Sequence, residues 1–224
     1  MIAKRLATGI LALAAVLATA ASSNWNTRVE RVDGAHVIGN PKAKTKLTEF
    51  VSYTCPHCGT FARTGDEALK LAYVGPGRMQ LEVRHFVRDP VDLTVTLMTW
   101  CGDKSKFLRN HAAFMHAQPD WLARAGKTTR AQQQRWYAGE WPARARAIAS
   151  DLDFYAIMAG RGYERTEIDR CIGDTAMAEK LSENSERDMA AYNIPGTPSF
   201  VLDGTLLAGV HTWPALEKRL IAAK

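Results

Sequence analysis

The 224-residue sequence predicts an α/β protein in which a helical segment interrupts the sheet. Three observations predict this class. The run "LTEFVSY" (47–53) is almost continuously apolar or β-favouring, as is typical of a strand covered on both faces of a parallel sheet. The run "MQLEVRHFV" (79–87) alternates apolar and polar side chains, as in a strand with one buried face. The run "SFVLDGTLLAGV" (199–210) joins two short apolar stretches through Asp203-Gly204, a strong hairpin signal.

The chain begins with the three-part pattern of a secretory signal peptide. Lys4 and Arg5 precede an apolar stretch that ends near Leu17, and the small residues Ala18-Thr19-Ala20 follow. We expect cleavage after Ala20, which leaves a mature protein outside the cytoplasm. An uncleaved membrane anchor is the alternative, but the apolar stretch is shorter than the roughly 20 residues that span a bilayer.

The charge of the mature chain argues against a nucleic-acid partner. The formal net charge of +6 falls to +4 when the signal peptide, with two basic residues and no acidic one, is removed. The remaining positive charge is scattered, with a mild concentration in residues 123–147 that is typical of a solvated helical surface. A nucleic-acid binder would show a basic stripe interleaved with aromatic residues.

The segment "YTCPHCGT" places Cys55 and Cys58 at the junction between the first apolar strand and a helix. Pro56 suits the first helical position because its missing N–H group would have no partner there. Cys55 is then the N-cap, and we expect the helix to continue through residue 74. The Cys-x-x-Cys spacing by itself allows a metal site, an inert crosslink or a redox pair.

Position favours the redox pair. The sulfur of an N-cap cysteine faces the free N–H groups of His57 and Cys58 and the positive end of the helix dipole. His57 also adds a donor or a positive charge beside the sulfur. We therefore expect Cys55 to be an exposed thiolate with a lowered pKa, and Cys58 to be the less exposed resolving thiol.

The rest of the chain supplies a helical block and two flanking strand regions. Residues 22–44 read as turns around at most a short strand. Residues 90 to about 190 contain no convincing strand and read as several helices, including those over 105–117, 143–159 and 175–191. The breaks in this block are expected at Pro119, Gly139, Pro142 and Gly173. A last helix is expected to begin near Thr212 and Pro214.

Taken together, Cys-Pro-His-Cys after a strand, a helical insertion and a late "IPGTPSFVLDG" hairpin resemble the DsbA-like thiol:disulfide oxidoreductases. The resemblance implies a thioredoxin-like fold over residues 21–224, interrupted by a helical domain at about 90–185. It implies that Pro198, preceded by Thr197, is cis and faces the cysteine pair. It also implies a buried acid at Glu49, which would pass protons to and from Cys58.

The same resemblance implies an exported, periplasmic oxidase without a cofactor, which donates its disulfide to unfolded or newly exported proteins. A membrane partner of the DsbB type would reoxidise it. An isomerase or reductase of the same superfamily is the alternative, because Thr197 is more typical of the isomerase branch. Only about 24 residues precede the first strand of the mature chain, too few for the dimerisation module of dimeric isomerases; this favours a monomeric oxidase, while Thr197 leaves some isomerase activity open.

Two further predictions concern the other cysteines and metal binding. Because Cys55 and Cys58 are so close, Cys101 and Cys171 are left for each other as a structural disulfide. We expect no metal site, since His111 and His116 are five residues apart, off the i, i+4 spacing of paired ligands. A two-thiolate Cu(I) site in a carrier protein remains an alternative. Trp100, Phe107, Phe114 and Trp121 are expected in the core.

Overall fold

The computed structural model describes residues 24–222, so the expected signal peptide (1–20) lies outside the described residues. Within them the chain forms one six-stranded mixed sheet and eleven α-helices. In this part of the chain, helices that combine the length and the apolar character needed to cross a bilayer are absent.

The sheet contains both parallel and antiparallel pairs. The strands are β1 (Val29–Val32), β2 (Ala35–Gly39), β3 (Thr45–Val51), β4 (Met79–His85), β5 (Ser199–Leu202) and β6 (Thr205–Leu206), in the spatial order β1-β2-β4-β3-β5-β6. β3 pairs parallel with β4 and antiparallel with β5. The predicted strands and the Asp203-Gly204 hairpin are confirmed. β3 is central, so the turn that follows it is held from both sides.

The prediction of at most a short strand in residues 22–44 is wrong. β1 and β2 form an antiparallel hairpin in which Val32 lies opposite Ala35. Asp33 (φ 46°) and Gly34 (φ 78°) make the turn. Both residues have the positive φ that a tight two-residue hairpin loop requires, and Asp-Gly is a preferred pair for it. The sequence therefore carried the signal, although the surrounding polar residues concealed it.

Helices occupy the expected insertion and flank the sheet. They are α1 (Pro56–Thr64), α2 (Asp66–Leu69), α3 (Pro90–Thr99), α4 (Phe107–His116), α5 (Gln118–Ala125), α6 (Arg130–Tyr137), α7 (Trp141–Asp151), α8 (Phe154–Ala159), α9 (Arg165–Ile172), α10 (Thr175–Tyr192) and α11 (Trp213–Ala222), with a π-helical turn at Lys70–Val74 and 3₁₀ turns at Trp25–Thr27 and Lys104–Lys106. The helical segment thus runs from residue 90 to residue 192, between β4 and β5. The domain boundaries themselves stay a prediction.

Two helices that the sequence predicts as continuous are interrupted. The helix after the cysteine pair breaks at Gly65 (φ −122°), where an added Cβ would lie 2.9 Å from Cβ of Trp213. The close approach of the last helix therefore requires a glycine there. The predicted helix over 143–159 breaks at Asp153, which adopts a left-handed conformation (φ 62°) between α7 and α8.

The helical block has its own core and a crosslink. Cys101, just after α3, forms a disulfide with Cys171 in α9, and their Cα atoms are 5.5 Å apart. Phe107, Phe114 and Trp121 are buried as predicted, whereas Trp100 is only partly buried and packs against the same core. The insertion is therefore a packed, crosslinked unit that can hold its side chains in fixed positions beside the cysteine pair.

Candidate active site

The redox turn, defined here as residues 52–55, connects the end of β3 to α1. Cys55 has extended backbone angles (φ −89°, ψ 114°) and is the N-cap of α1, and Pro56 is in its first turn. This confirms the local geometry predicted from the sequence. Cys55 and Cys58 are free thiols, separated by one helical turn. Pro56 and His57 are exposed.

Cys55 is not exposed, so that prediction was wrong. Its relative exposure is 3%, and that of Cys58 is 1%. The cover comes from a loop far away in the chain, because the Cys55 sulfur lies 3.1 Å from the Thr197 carbonyl oxygen, to which Cys55 donates a hydrogen bond in its thiol form. The peptide bond between Thr197 and Pro198 is cis. Local sequence around the cysteines contains no sign of this cover.

The pKa values of the two thiols are shifted in opposite directions. A hydrogen bond from Cys58 is the largest cause that lowers the pKa of Cys55 to about 5, aided by the Thr197 side chain and by backbone amides of His57 and Cys58, against the effect of burial. The Cys55 sulfur does not accept a capping hydrogen bond from the helix. The backbone N–H groups of His57 and Cys58 therefore lower its pKa because they point toward the sulfur. Burial, followed by the hydrogen bond to Cys55, raises the pKa of Cys58 well above its ordinary value. At neutral pH the pair therefore holds one thiolate and one thiol.

The loop that bears Pro198 is fixed by two side chains. The hydroxyl of Ser199 donates to the Gly196 carbonyl at 2.7 Å. The Nδ1 atom of His211 lies 2.7 Å from the Pro198 carbonyl oxygen. Because a carbonyl can only accept, Nδ1 carries the hydrogen of this bond. No motif in the sequence marks His211 for this contact, because the two residues are 13 positions apart on either side of a hairpin.

Glu49 is buried in β3, with 3% of its surface exposed. In the sheet it lies opposite Val83 on β4 and Phe200 on β5. Burial raises its pKa well above the ordinary value; the charge of Asp66 raises it further, and Lys70 opposes both. The sequence predicts a buried acid here and the structure places one. Its role as a proton carrier for Cys58 stays a prediction.

Two aspartates that the sequence analysis missed hold the redox turn from α3. Asp92 accepts the backbone N–H of Tyr53 at 2.8 Å and the hydroxyl of Ser52 at 2.5 Å. Asp89 caps α3 and accepts the hydroxyl of Thr54 at 2.9 Å. The Asp-Pro pair at the start of α3 is a recognisable helix-start signal. Burial raises the pKa of Asp92 to about 7.

Gln118, at the start of α5, holds the turn from another direction. Its side-chain amide donates to the carbonyl of Tyr53 at 2.6 Å and to the carbonyl of Cys55 at 2.8 Å. Its relative exposure is 1%. A glutamine at a helix start carries no sequence signal for such a contact. Side chains from the insertion thus bind both sides of the redox turn.

Comparison with known proteins assigns the fold. The family described as thioredoxin matches residues 31–221, which is most of the chain. The chain belongs to the thioredoxin family. A protein-disulfide isomerase from Novosphingobium aromaticivorans has a similar crystal structure, with a TM-score of 0.83 and 48% identity over 86% of this chain and 98% of that one.

Other members of the thioredoxin family share the helical insertion. The crystal structure of Wolbachia pipientis alpha-DsbA1 has the same fold, with a TM-score of 0.68 and 18% identity over 86% of this chain and 92% of that one. The DsbA-like resemblance and the thioredoxin-like fold with an inserted helical segment are therefore confirmed. A Rickettsia typhi protein with the provisional name protein-disulfide oxidoreductase is 26% identical over 169 residues, 75% of this chain and 54% of its own length. The chain thus spans about half the length of the curated relatives it matches.

The two histidines considered as ligands lie apart in this thioredoxin-family structure. His111 is buried, with Nδ1 2.9 Å from the Tyr53 hydroxyl and Nε2 3.6 Å from Asp66. His116 is exposed. Over residues 24–222, no three His, Cys, Asp or Glu side chains are grouped in a way that could hold a metal ion. His111 is accounted for as a packed, hydrogen-bonded core residue.

Proposed function

We propose that the protein is an exported thiol:disulfide oxidase that introduces disulfides into secreted proteins through Cys55 and Cys58. The observation that carries the proposal is the placement of two free cysteines at the start of α1, with Cys55 at the N-cap and against the Thr197 loop; this placement shifts the two thiol pKa values in opposite directions, to about 5 for Cys55 and well above the ordinary value for Cys58. A stabilised thiolate favours the reduced pair, and a disulfide whose reduced form is stabilised is a strong electron acceptor. A purely structural disulfide does not require one acidic and one non-acidic thiol.

The proposed reaction starts from the oxidised pair. A substrate thiolate attacks the sulfur of Cys55, the Cys55–Cys58 bond breaks, and Cys58 leaves and takes up a proton. A second substrate thiolate then attacks the substrate sulfur of the mixed disulfide and releases Cys55 as a thiolate. Two electrons pass from the substrate dithiol to the cysteine pair, and the substrate gains a disulfide. The low pKa of Cys55 makes it a good leaving group in the second step.

Glu49 is suited to supply the proton in the first step. Its raised pKa means that it carries a proton at a pH where an ordinary carboxyl group is ionised. Cys58 needs that proton because its own pKa is high. We propose that Glu49 delivers it and receives it back when Cys58 reacts again.

Substrate contact is proposed at the loop that bears Pro198. The loop lies against the sulfur of Cys55 through the Thr197 carbonyl, so a peptide paired with this backbone would place its cysteine near the reacting atom. An open depression of about 660 Å³ lies between the segment that follows the last hairpin and α11, and small or apolar residues such as Ala208, Val210 and Pro214 line it together with Lys218 and Arg219. Such a surface would accept apolar segments of an unfolded chain.

The proposed compartment is the periplasm, and the proposed reoxidant is a membrane protein of the DsbB type. The signal-peptide pattern supports export. The Cys101–Cys171 disulfide supports an oxidising compartment, because such bonds are rare in reducing cytosol. The DsbB-type partner and a monomeric state follow from the resemblance alone and are proposals.

A disulfide isomerase is the second candidate function. The Novosphingobium aromaticivorans protein, 48% identical, is named a protein-disulfide isomerase, and Thr197 agrees with that branch. An isomerase starts from the reduced pair, and the Cys55 thiolate attacks a wrong disulfide in the substrate. The same low pKa serves both reactions, so the direction of electron flow separates them.

Two assays distinguish these functions. The oxidised protein is mixed with a reduced peptide that contains two cysteines, and the reduced protein with a substrate whose disulfides are scrambled. Oxidase function predicts rapid peptide oxidation, abolished by Cys55→Ala and retained by the matched double variant Cys101→Ala/Cys171→Ala. Rescue of the scrambled substrate without peptide oxidation would instead establish the isomerase. Activity that survives Cys55→Ala would remove the site assignment altogether.

A further inference from the structure

Gln118, the first residue of α5, forms hydrogen bonds to the backbone of the redox turn. The side-chain amide of Gln118 donates two hydrogen bonds, to the backbone carbonyls of Tyr53 and Cys55, the residues on either side of Thr54. The amide is almost wholly buried. A buried amide that donates twice, at 2.6 and 2.8 Å, fixes two peptide planes relative to the helical insertion.

Gly59, the residue after the cysteine pair, has no side chain and therefore leaves space for Gln118. Gly59 lies inside α1, where glycine costs about 1 kcal/mol relative to alanine. An added Cβ on Gly59 would overlap Oε1 of Gln118 and would lie 2.6 Å from its Cδ. The other near atom is the far end of the flexible Arg63 side chain, at 3.0 Å. A poor helix former is therefore explained by the close approach of Gln118.

The carbonyl of Cys55 is also the first acceptor of α1. It receives the N–H groups of Cys58 at 3.1 Å and Gly59 at 3.2 Å in addition to the Gln118 amide. The direction of this carbonyl sets the start of the helix. It thereby sets where the helix N–H groups point relative to the sulfur.

We propose that Gln118 is a positioning residue for the redox pair, which fixes the direction of the Cys55 carbonyl and so ties the helical insertion to the start of α1. The proposal deepens the proposed function, because it rests on Cys55 as the reacting thiol. Gly59 is the matching feature on α1, since it leaves the space that the Gln118 amide fills.

The first test replaces Gln118 by methionine, which has a similar length but no donor. We expect Gln118→Met to raise the pKa of Cys55 by about one unit. Without the hydrogen bonds from Gln118, the Cys55 carbonyl can turn, and the N–H groups at the start of α1 then point less directly at the sulfur. The pKa is read from the ultraviolet absorbance of the thiolate during a pH titration. Gln132→Met is the matched control, because Gln132 belongs to the capping box of α6 and its loss should lower stability without moving the pKa of Cys55. Equal pKa values in the two variants would overturn the proposal.

The second test is a double-mutant cycle that stays informative if Gln118→Met folds poorly. Gly59→Ala alone should displace Gln118, raising the pKa of Cys55 and lowering the melting temperature. In the Gln118→Ala background the same change should cost less stability, because the next nearest atom to the new Cβ is the flexible end of Arg63, which can move. An equal effect of Gly59→Ala in both backgrounds would contradict the proposed fit. If the wild-type protein cannot oxidise a reduced peptide, the proposed function fails, but these pKa comparisons still decide the role of Gln118.

Discussion

Loss of the Cys58 thiol should weaken the acidity of Cys55 by a measurable amount. The hydrogen bond from Cys58 is the largest contribution that lowers the pKa of Cys55 to about 5. A hydrogen bond to a charged group is worth about 1.5–3 kcal/mol, which corresponds to about 1–2 pKa units. We therefore expect the pKa of Cys55 in Cys58→Ala to lie between about 6 and 7.

Cys58→Ser is the matched control, because its hydroxyl group retains a donor at the same position. The pKa of Cys55 in this variant should stay close to the wild-type value. Both variants leave Cys55 as the single titrating thiol, since Cys101 and Cys171 are joined in a disulfide. Thiolate absorbance against pH, checked by the pH dependence of iodoacetamide alkylation, measures the pKa. A value near 5 in Cys58→Ala would refute the assignment of Cys58 as the main stabilising donor.

The remaining predictions concern stability. The double variant Cys101→Ser/Cys171→Ser opens a crosslink that spans 70 residues and should lower the free energy of unfolding by about 4 kcal/mol while the peptide-oxidation rate of the folded protein is retained; an unchanged melting temperature would contradict this. The folded pKa of Asp92, about 7, lies above its ordinary 3.8, so the native state binds more protons and loses stability as pH rises from about 4 to 7, by up to about 4 kcal/mol. Urea unfolding should show a steeper slope in the wild type than in Asp92→Asn, where the contribution of Glu49 remains; equal slopes would contradict the assignment to Asp92. Gly34→Ala should cost about 1–3 kcal/mol, because Gly34 has φ 78° and an added Cβ would lie 2.7 Å from Cγ of Asn184; the cost should shrink in an Asn184→Ala background, and an undiminished cost would assign it to backbone strain alone.

The local features of the redox turn could be predicted because they depend on neighbouring residues. An apolar strand followed by Cys-Pro places Pro56 in the first helical turn and Cys55 at the N-cap by simple backbone chemistry. The lowered pKa of Cys55 follows in part from the same geometry. The hairpin at Asp203-Gly204 was predictable for a similar reason, since both residues favour positive φ.

The features that sequence reasoning missed depend on contacts between distant segments. The family resemblance implied that the Thr197-Pro198 segment faces the cysteine pair, but the burial of Cys55 by Thr197, 142 residues away, was not predicted. Gln118 reaches the turn from 63 residues away and Asp92 from 39. No periodicity or motif encodes a side chain that bonds a distant backbone carbonyl. The glycine at position 59 is the one local trace of such a contact, and it becomes interpretable only when Gln118 is seen beside it.

The central claim is that stabilisation of the Cys55 thiolate makes the pair an oxidant. At pH 7 a thiol of pKa about 5 is stabilised over one of pKa 9 by about 2.7 kcal/mol, and screening by solvent near the surface reduces this to about 2 kcal/mol. That amount corresponds to roughly 40 mV in a two-electron couple. The reduction potential of the Cys55/Cys58 couple, measured by equilibration with glutathione, tests the claim most directly. The account predicts a potential at least roughly 40 mV more oxidising than the roughly −270 mV of thioredoxin, that is about −230 mV or higher, and a lower potential in Gln118→Met, where the pKa of Cys55 is expected to rise; a wild-type value near that of thioredoxin would contradict it.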